Sequence, residues 1–261
     1  MNEPLTIHVY ALSISDALGY RGQKAVADAT VKGSEYRIIG GHMVRLLLHV
    51  YPTAAAIPRS TTDADTAIGD LEVAAPLTQN FLDQNFTKQG GNLFYREVAP
   101  GQRIEINVLA PRTGPTRGIK PRTVPGVGQI DTLPELAYVF NHEPLILNVE
   151  AELSESETIT YQTRVPDVEE AVVLKAHAWR ERQSAKDVAD LHTLLEIREA
   201  HPEVPWHLHE TNPIGFRKDT VEILQTLRDG MARKRTPFAV PNNLNKIRFA
   251  ALIAKHVTRN R

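Results

Sequence analysis

A chain of 261 residues, 42% of them apolar, is long enough to bury the core of one large domain or two modest ones. Thirty Lys and Arg against 31 Asp and Glu leave a formal net charge of −1, which excludes a molecule basic or acidic throughout, and the absence of cysteine excludes disulfides, thiolate metal sites and a cysteine nucleophile. The start, Met1-Asn2-Glu3-Pro4-Leu5, has neither a basic head nor an apolar core, and no apolar run reaches membrane-spanning length, so a cytoplasmic protein with no membrane partner is expected.

Ser13 and Asp16 offer helix-start side chains, and Ala25, Val26 and Ala27 continue the helical reading to Lys32-Gly33. Tyr36-Arg37-Ile38-Ile39 reads as a short apolar strand feeding the pair Gly40-Gly41. Beyond it, Met43, Val44, Leu47 and Val50 form a helical stripe that Pro52 stops. Arg59-Ser60-Thr61-Thr62-Asp63-Ala64-Asp65 then leads into a second strand, and residues 70–88 again read as helix. Residues 92–98 and 103–109 pair as a hairpin across Ala99-Pro100-Gly101-Gln102, with Arg103, Glu105 and Asn107 on one face and Ile104, Ile106 and Val108 on the other.

Residues 110–130 hold four prolines and four glycines with Arg112, Arg117, Lys120 and Arg122 and no acid, the composition of a long basic loop. Strands are expected at 145–151 and 158–163, a helix from Pro166-Asp167 to Arg182, another from Ser184 to about Ala200, and two more near 217–232 and 243–258. From Arg217 onward eleven basic residues face three acidic ones, which suits a polyanionic partner. The order of elements predicts an α+β, two-lobed molecule. A small mixed β-sheet domain with flanking helices covers residues 1–164, a mainly helical C-terminal lobe covers 165–261, and a cleft lies between them.

Two clusters carry chemistry. Residues i and i+2 of a strand share a face, so Asp63 and Asp65 stand side by side and repel unless a cation joins them. The paired glycines at a strand-to-helix turn let backbone N–H groups approach a phosphate, although two glycines in a turn are more often only a turn. Magnesium takes oxygen ligands and binds through one or two carboxylates plus substrate phosphates, which suits this set. Glu105 reads either as a solvated residue on a polar strand face or as a third carboxylate. The second cluster is Lys175, Arg180, Lys186, Asp187 and Asp190; Ser184-x-x-Asp187 resembles a capping box, while Asp187 and Asp190 share one helical face. His207-Leu208-His209 offers two imidazoles with no third ligand and reads as surface, and no nucleophile elbow or Ser-His-Asp order is present.

Gly40-Gly41-His42, then Arg59-x-Thr61-x-Asp63-x-Asp65, then Lys175 through Lys186-Asp187-x-x-Asp190-Leu191 resembles the AbiEii and MenT group of nucleotidyltransferase toxins, over roughly residues 12–200. The resemblance implies a DNA-polymerase-beta-like nucleotidyltransferase domain followed by a helical lobe. It also implies transfer of nucleotide from an NTP to RNA, with tRNA acceptor ends as the substrate class. The cofactor would be Mg2+ or Mn2+, and the protein would be the toxin of a toxin–antitoxin pair in phage defence, with a cognate antitoxin as partner. Asp63 and Asp65, with Glu105 as the third position, would then hold the metal. Gly40 and Gly41 would hold the triphosphate, with Arg59, Thr61 and Asp190 at the nucleotide, Lys175 and Arg180 would contact phosphates, and Asp187 would match the carboxylate of the Lys-Asp motif. Other readings of the same fold are a nucleotide- or RNA-binding module without turnover and an enzyme that nucleotidylates protein.

Overall fold

The computed structural model describes residues 3–56, 59–114, 116–233 and 235–258; Pro115 of the basic loop, and Lys234, Arg259 and Arg261 of the basic C-terminal stretch, lie outside them. The chain is mixed α and β and divides into two compact units. Residues up to Val50 together with Arg59–Pro166 make the first, and Tyr51–Pro58 together with Asp167–Arg261 make the second. Among the described residues no helix is long and apolar enough to cross a membrane.

The first unit begins with β1 (Leu5–Tyr10) and α1 (Ile14–Ala29), then β2 (Tyr36–Ile38), α2 (Gly40–Val50) and β3 (Asp63–Ile68). A single 3-10 turn at Leu71–Val73 leads into α3 (Ala74–Asp83), followed by β4 (Thr87–Gln89), β5 (Leu93–Ala99), β6 (Gln102–Pro111), β7 (Lys120–Val124) and β8 (Gly128–Leu133). After α4 (Pro134–Phe140) come β9 (Leu145–Ser154) and β10 (Glu157–Val165). Two sheets form among the described residues. One runs β1-β9-β10, with β1 parallel and β10 antiparallel to β9. The larger runs β2-β3-β6-β5-β4, with β8 parallel to the end of β6 and β7 antiparallel to β8. Helix α1 lies against β3 and β6 of one sheet and β9 and β10 of the other.

The expected alternation of the second hairpin strand is present: Ile104, Ile106 and Val108 are buried, and Arg103, Glu105 and Asn107 occupy the opposite face. Four segments differ from the expectation. Residues 70–88 are not one helix. The Asp70 side chain accepts from Glu72 N at 3.0 Å to start the 3-10 turn, and Asn85, at φ 62°, ends the helical run before β4. Phe86 then packs on Phe81 with ring centroids 5.6 Å apart, so the apolar spacing outlasts the helix and imitates a longer one.

The basic stretch 110–130 is only partly loop, because β7 and β8 form a ribbon on the end of β6. Pro121 is tolerated there since β7 pairs on one side only and that position owes no second ladder bond. The register matters for charge. Lys120 stands opposite Thr132 and Arg122 opposite Ile130, while Pro121 stands opposite Asp131, so the two basic side chains and Asp131 belong to opposite faces of the ribbon. Strand β1 and helix α4 are further elements beyond the predicted set; β1 buries only Ile7 and Val9, too little apolar pattern to identify locally.

A buried ion pair joins the first two helices. Ser13, not Asp16, caps α1, accepting from Asp16 N at 3.2 Å. The Asp16 carboxylate is fully buried, bonds the Arg45 guanidinium of α2 and accepts from Leu12 N at 3.0 Å. Arg45 also donates to the Tyr10 carbonyl at 3.0 Å and lies 5.3 Å from the Tyr20 ring centroid. Burial alone would raise the Asp16 pKa, but Arg45, together with hydrogen bonds from Ser60 and Leu12, outweighs it and holds the carboxyl below the ordinary aspartate value.

The second unit contains α5 (Val168–Arg182), α6 (Ala185–Ala200), α7 (Gly215–Met231) and α8 (Lys246–His256). Asp167 caps α5 through Val168 N at 2.6 Å and Ser184 caps α6 through Lys186 N at 3.2 Å, so both helices start where their Asp and Ser signals indicate. Helix α5 packs on α6 and α7, and α8 on α6 and α7, around Ala171, Val172, Leu191, Leu224 and Phe249. Glu196 of α6 receives Arg248 of α8 in a bidentate pair at 2.8 and 2.7 Å.

Glu169 is the buried polar anchor of this unit. Its Oε2 accepts from His207 N and from Leu208 N at 3.2 Å, and its Oε1 accepts from Arg217 Nε at 2.7 Å. Glu169→Ala is therefore expected to destabilise the second unit by about 3 kcal/mol, because buried N–H donors lose their acceptor. The midpoint of urea unfolding followed by circular dichroism measures this, and an unchanged midpoint would contradict the assignment.

Candidate active site

The strand-to-helix turn at Gly40-Gly41 is shaped by the side chains of the next strand. Ile39 N donates to Asp65 O at 2.9 Å, tying the residue before the glycines to β3. Gly40 has φ +70°, and a Cβ there would lie 2.2 Å from Asp65 Oδ2. A Cβ on Gly41 would lie 2.6 Å from Arg59 Nη2 and 3.1 Å from Thr61 Cγ2. Gly40, Gly41, Arg59, Thr61 and Asp65 thus converge on one turn, where the sequence shows only their spacing. The turn opens α2, whose 11 residues align peptide dipoles with their positive end toward it, the electrostatics that an anionic phosphate favours.

His42, the next residue, is fully buried. Its ring lies against Gly19 of α1, where a Cβ would be 2.1 Å from Nε2, and neither ring nitrogen has a well-formed hydrogen bond among the described residues. Burial, with Arg45 and Arg59 adding to it, drives the imidazole pKa down to about 3, so the ring is a neutral spacer beneath the turn.

Asp63 is exposed and Asp65 half-buried at alternate positions of β3. Parallel pairing sets Asp63 opposite Glu105 of β6 and Asp65 opposite Asn107. Glu105 is paired with Arg103, Oε2 to Nη2 at 2.9 Å, and among the described residues no three His, Asp or Glu side chains are gathered as a metal site. The pair itself fits a hard divalent cation. Both donors are carboxylate oxygens, they share a strand face, and Asp63 has no hydrogen-bond or ion-pair partner among the described residues.

The remaining predicted residues belong to the second unit. Lys175 of α5 is buried, with Nζ 2.6 Å from Asp190 Oδ2 and 4.0 Å from Asp187 Oδ1 of α6. Asp187 is not a helix cap. Arg182 holds it in a fork, Nε to Oδ2 and Nη2 to Oδ1 both at 2.6 Å. Asp187 and Asp190 do share one helical face, and that face meets Lys175. Arg180 is directed differently, with Nη2 3.0 Å from His177 Nδ1 and Nη1 3.7 Å from Asp219 Oδ2. Of the two histidines at 207 and 209, His207 is engaged by a neighbouring acid, with Nδ1 2.8 Å from Glu210 Oε1.

Sequence reasoning gave no site role to Asn107, Asn92 or Asp131. Asn107 was visible on the Glu105 face, but its place beside Asp65 depends on strand register.

Residues 40–234, about three-quarters of the chain, match the family model described as nucleotidyl transferase AbiEii toxin, type IV TA system. No curated protein sequence matches the chain.

Proposed function

The chain belongs to the AbiEii family of nucleotidyltransferase toxins of type IV toxin–antitoxin systems, and from that membership we propose that it transfers nucleotide from an NTP to RNA. The tRNA 3′ acceptor end is the proposed acceptor, Mg2+ or Mn2+ the cofactor, a cognate antitoxin the protein partner and phage defence the setting. The observation that carries the reading is the packing of Asp65 onto the Gly40-Gly41 turn with Asp63 beside it on β3.

In this reading Asp63 and Asp65 hold the metal, with Glu105 as the third, less direct candidate. A metal held there would supply charge neutralisation at the α-phosphate and a lowered pKa for the attacking 3′-hydroxyl. The backbone N–H groups at Gly40 and Gly41 bind triphosphate oxygens, and Arg59 and Thr61, packed on Gly41, hold the nucleotide in place. Lys175 and Arg180 stabilise the charge on departing pyrophosphate. Asp190 fixes the direction of the Lys175 ammonium, and Asp187 is held ready by Arg182. Positioning of the two reactants supplies much of the remaining rate.

Incubation of the protein with each labelled NTP and total tRNA tests this. The wild type is expected to label RNA, and Asp63→Ala to lose about a thousandfold of that rate, the loss of several kcal/mol of charge stabilisation. Equal labelling by both proteins, or label in protein rather than RNA, would reject it.

A further inference from the structure

A chain of side-chain hydrogen bonds leads from Asp65 across the larger sheet. Asn107 Nδ2 donates to Asp65 Oδ1 at 3.4 Å, and Asn107 Oδ1 accepts from Asn92 Nδ2 at 2.9 Å. The same Asn92 Nδ2 donates to Asp131 Oδ2 at 3.2 Å. Strand pairing gathers these residues from four places in the chain. Asp65 stands opposite Asn107 between β3 and β6, and Asp131 stands opposite Leu109 between β8 and β6. Asn92 directly precedes β5, whose Leu93 stands opposite Asn107.

The two ends dictate how the amides between them are turned. An ionised carboxylate only accepts hydrogen bonds, so Asp65 requires the nitrogen of Asn107, which leaves the Asn107 oxygen toward Asn92. Asn92 must then present nitrogen, and its two N–H groups serve Asn107 and Asp131. Turning either amide over would set oxygen against oxygen, so with an acid at each end one orientation makes all three bonds. On its other side Asp65 Oδ2 lies only 2.2 Å from where a Cβ on Gly40 would stand.

The geometry points to Asp131 as a positioning residue for the Asp63 and Asp65 pair: Asp131 orients Asn92, Asn92 orients Asn107, and Asn107 holds the Asp65 carboxylate in place. This rests on the reading of Asp63 and Asp65 as the cation-binding pair. It also gives the ribbon of β7 and β8 a role, since that ribbon carries Asp131 to the face of the sheet on which Asn107 lies.

The test uses the 15N-labelled full chain and two readouts, the side-chain amide NMR signals of Asn107 and calorimetric binding of Mn2+ without nucleotide. Asp131→Ala is expected to shift the Asn107 side-chain signals and to weaken Mn2+ binding about tenfold, the lower range for losing an outer-shell partner. Asp131→Asn, whose oxygen still accepts from Asn92, is expected to restore both. Asn92→Ala is expected to behave like Asp131→Ala, because it cuts the next link. A folded Asp131→Ala protein whose Asn107 side-chain signals stay at their wild-type positions would overturn the inference. If Asp65→Ala binds Mn2+ as well as the wild type, the cation-site reading fails, whereas the hydrogen-bonded chain is judged by the amide signals alone.

Discussion

Arg45→Met is expected to destabilise the first unit by about 3–5 kcal/mol at neutral pH, since it leaves the fully buried Asp16 carboxylate without its cation. Met approximates the length of the arginine stem, so packing on Tyr20 is partly kept and the loss is chiefly electrostatic. Acid should shrink the difference between the two proteins. In the wild type the folded Asp16 pKa lies below the ordinary value of 3.8, so its contribution is complete above that value and fades as the pH falls through the folded pKa. In the variant the unpaired buried carboxyl favours its protonated form, so acidification relieves it. Urea unfolding at pH 7 and pH 4 measures both effects, and a difference that grows on acidification would contradict the assignment. Asp16→Leu combined with Arg45→Met should be more stable than Arg45→Met alone, because the stranded charge is gone.

Gly40→Ala is expected to lower nucleotide transfer about a hundredfold while the protein remains folded. Two costs combine. An L-residue at φ +70° adds about 1–2 kcal/mol of backbone strain, and the new methyl would stand 2.2 Å from Asp65 Oδ2. The Asp65 backbone cannot retreat easily, because β3 is paired with β2 on one side and β6 on the other and Asp65 O accepts from Ile39 N. The carboxylate must therefore rotate, and displacing a reacting group by about 1 Å costs about two orders of magnitude in rate. Gly33→Ala is the control. Gly33 also has positive φ, at +87°, but a Cβ there meets nothing within 4 Å, so only the backbone cost applies and activity should be kept. Transfer rates and thermal midpoints of the two variants separate the effects, and wild-type transfer by Gly40→Ala would refute the role of the close approach.

Parts of the candidate functional set were legible because they are local. Asp63 and Asp65 share a face through strand periodicity, and the Ser184 cap with Asp187 and Asp190 on one face follows from helix periodicity. The motif order over Gly40-Gly41, Arg59 to Asp65 and Lys175 to Asp190 carried the family resemblance, which the match over residues 40–234 bears out. The illegible parts involve partners distant in sequence. Asp16 looked like a helix-start residue, yet it answers Arg45 from the next helix. Asp187 looked like a cap, yet Arg182 holds it and Lys175 lies close by. Residues 110–130 looked like a loop because prolines and glycines mark breaks locally, whereas β7 is an edge strand that tolerates Pro121.

By itself, then, the amino-acid sequence determined the α+β class, the buried face of β6, the starts of α5 and α6 and the pairing of Asp63 with Asp65 on one face, all consequences of side-chain periods acting over a few residues. Only the tertiary structure decided that Asp65 presses on Gly40, that Asn107 rather than Glu105 stands opposite Asp65, and that Asn92 links Asn107 to Asp131. The reason is strand register: shifting β6 by one residue against β3 would exchange its buried and polar faces, and burying Ile104 and Ile106 together is what holds Asn107 beside Asp65.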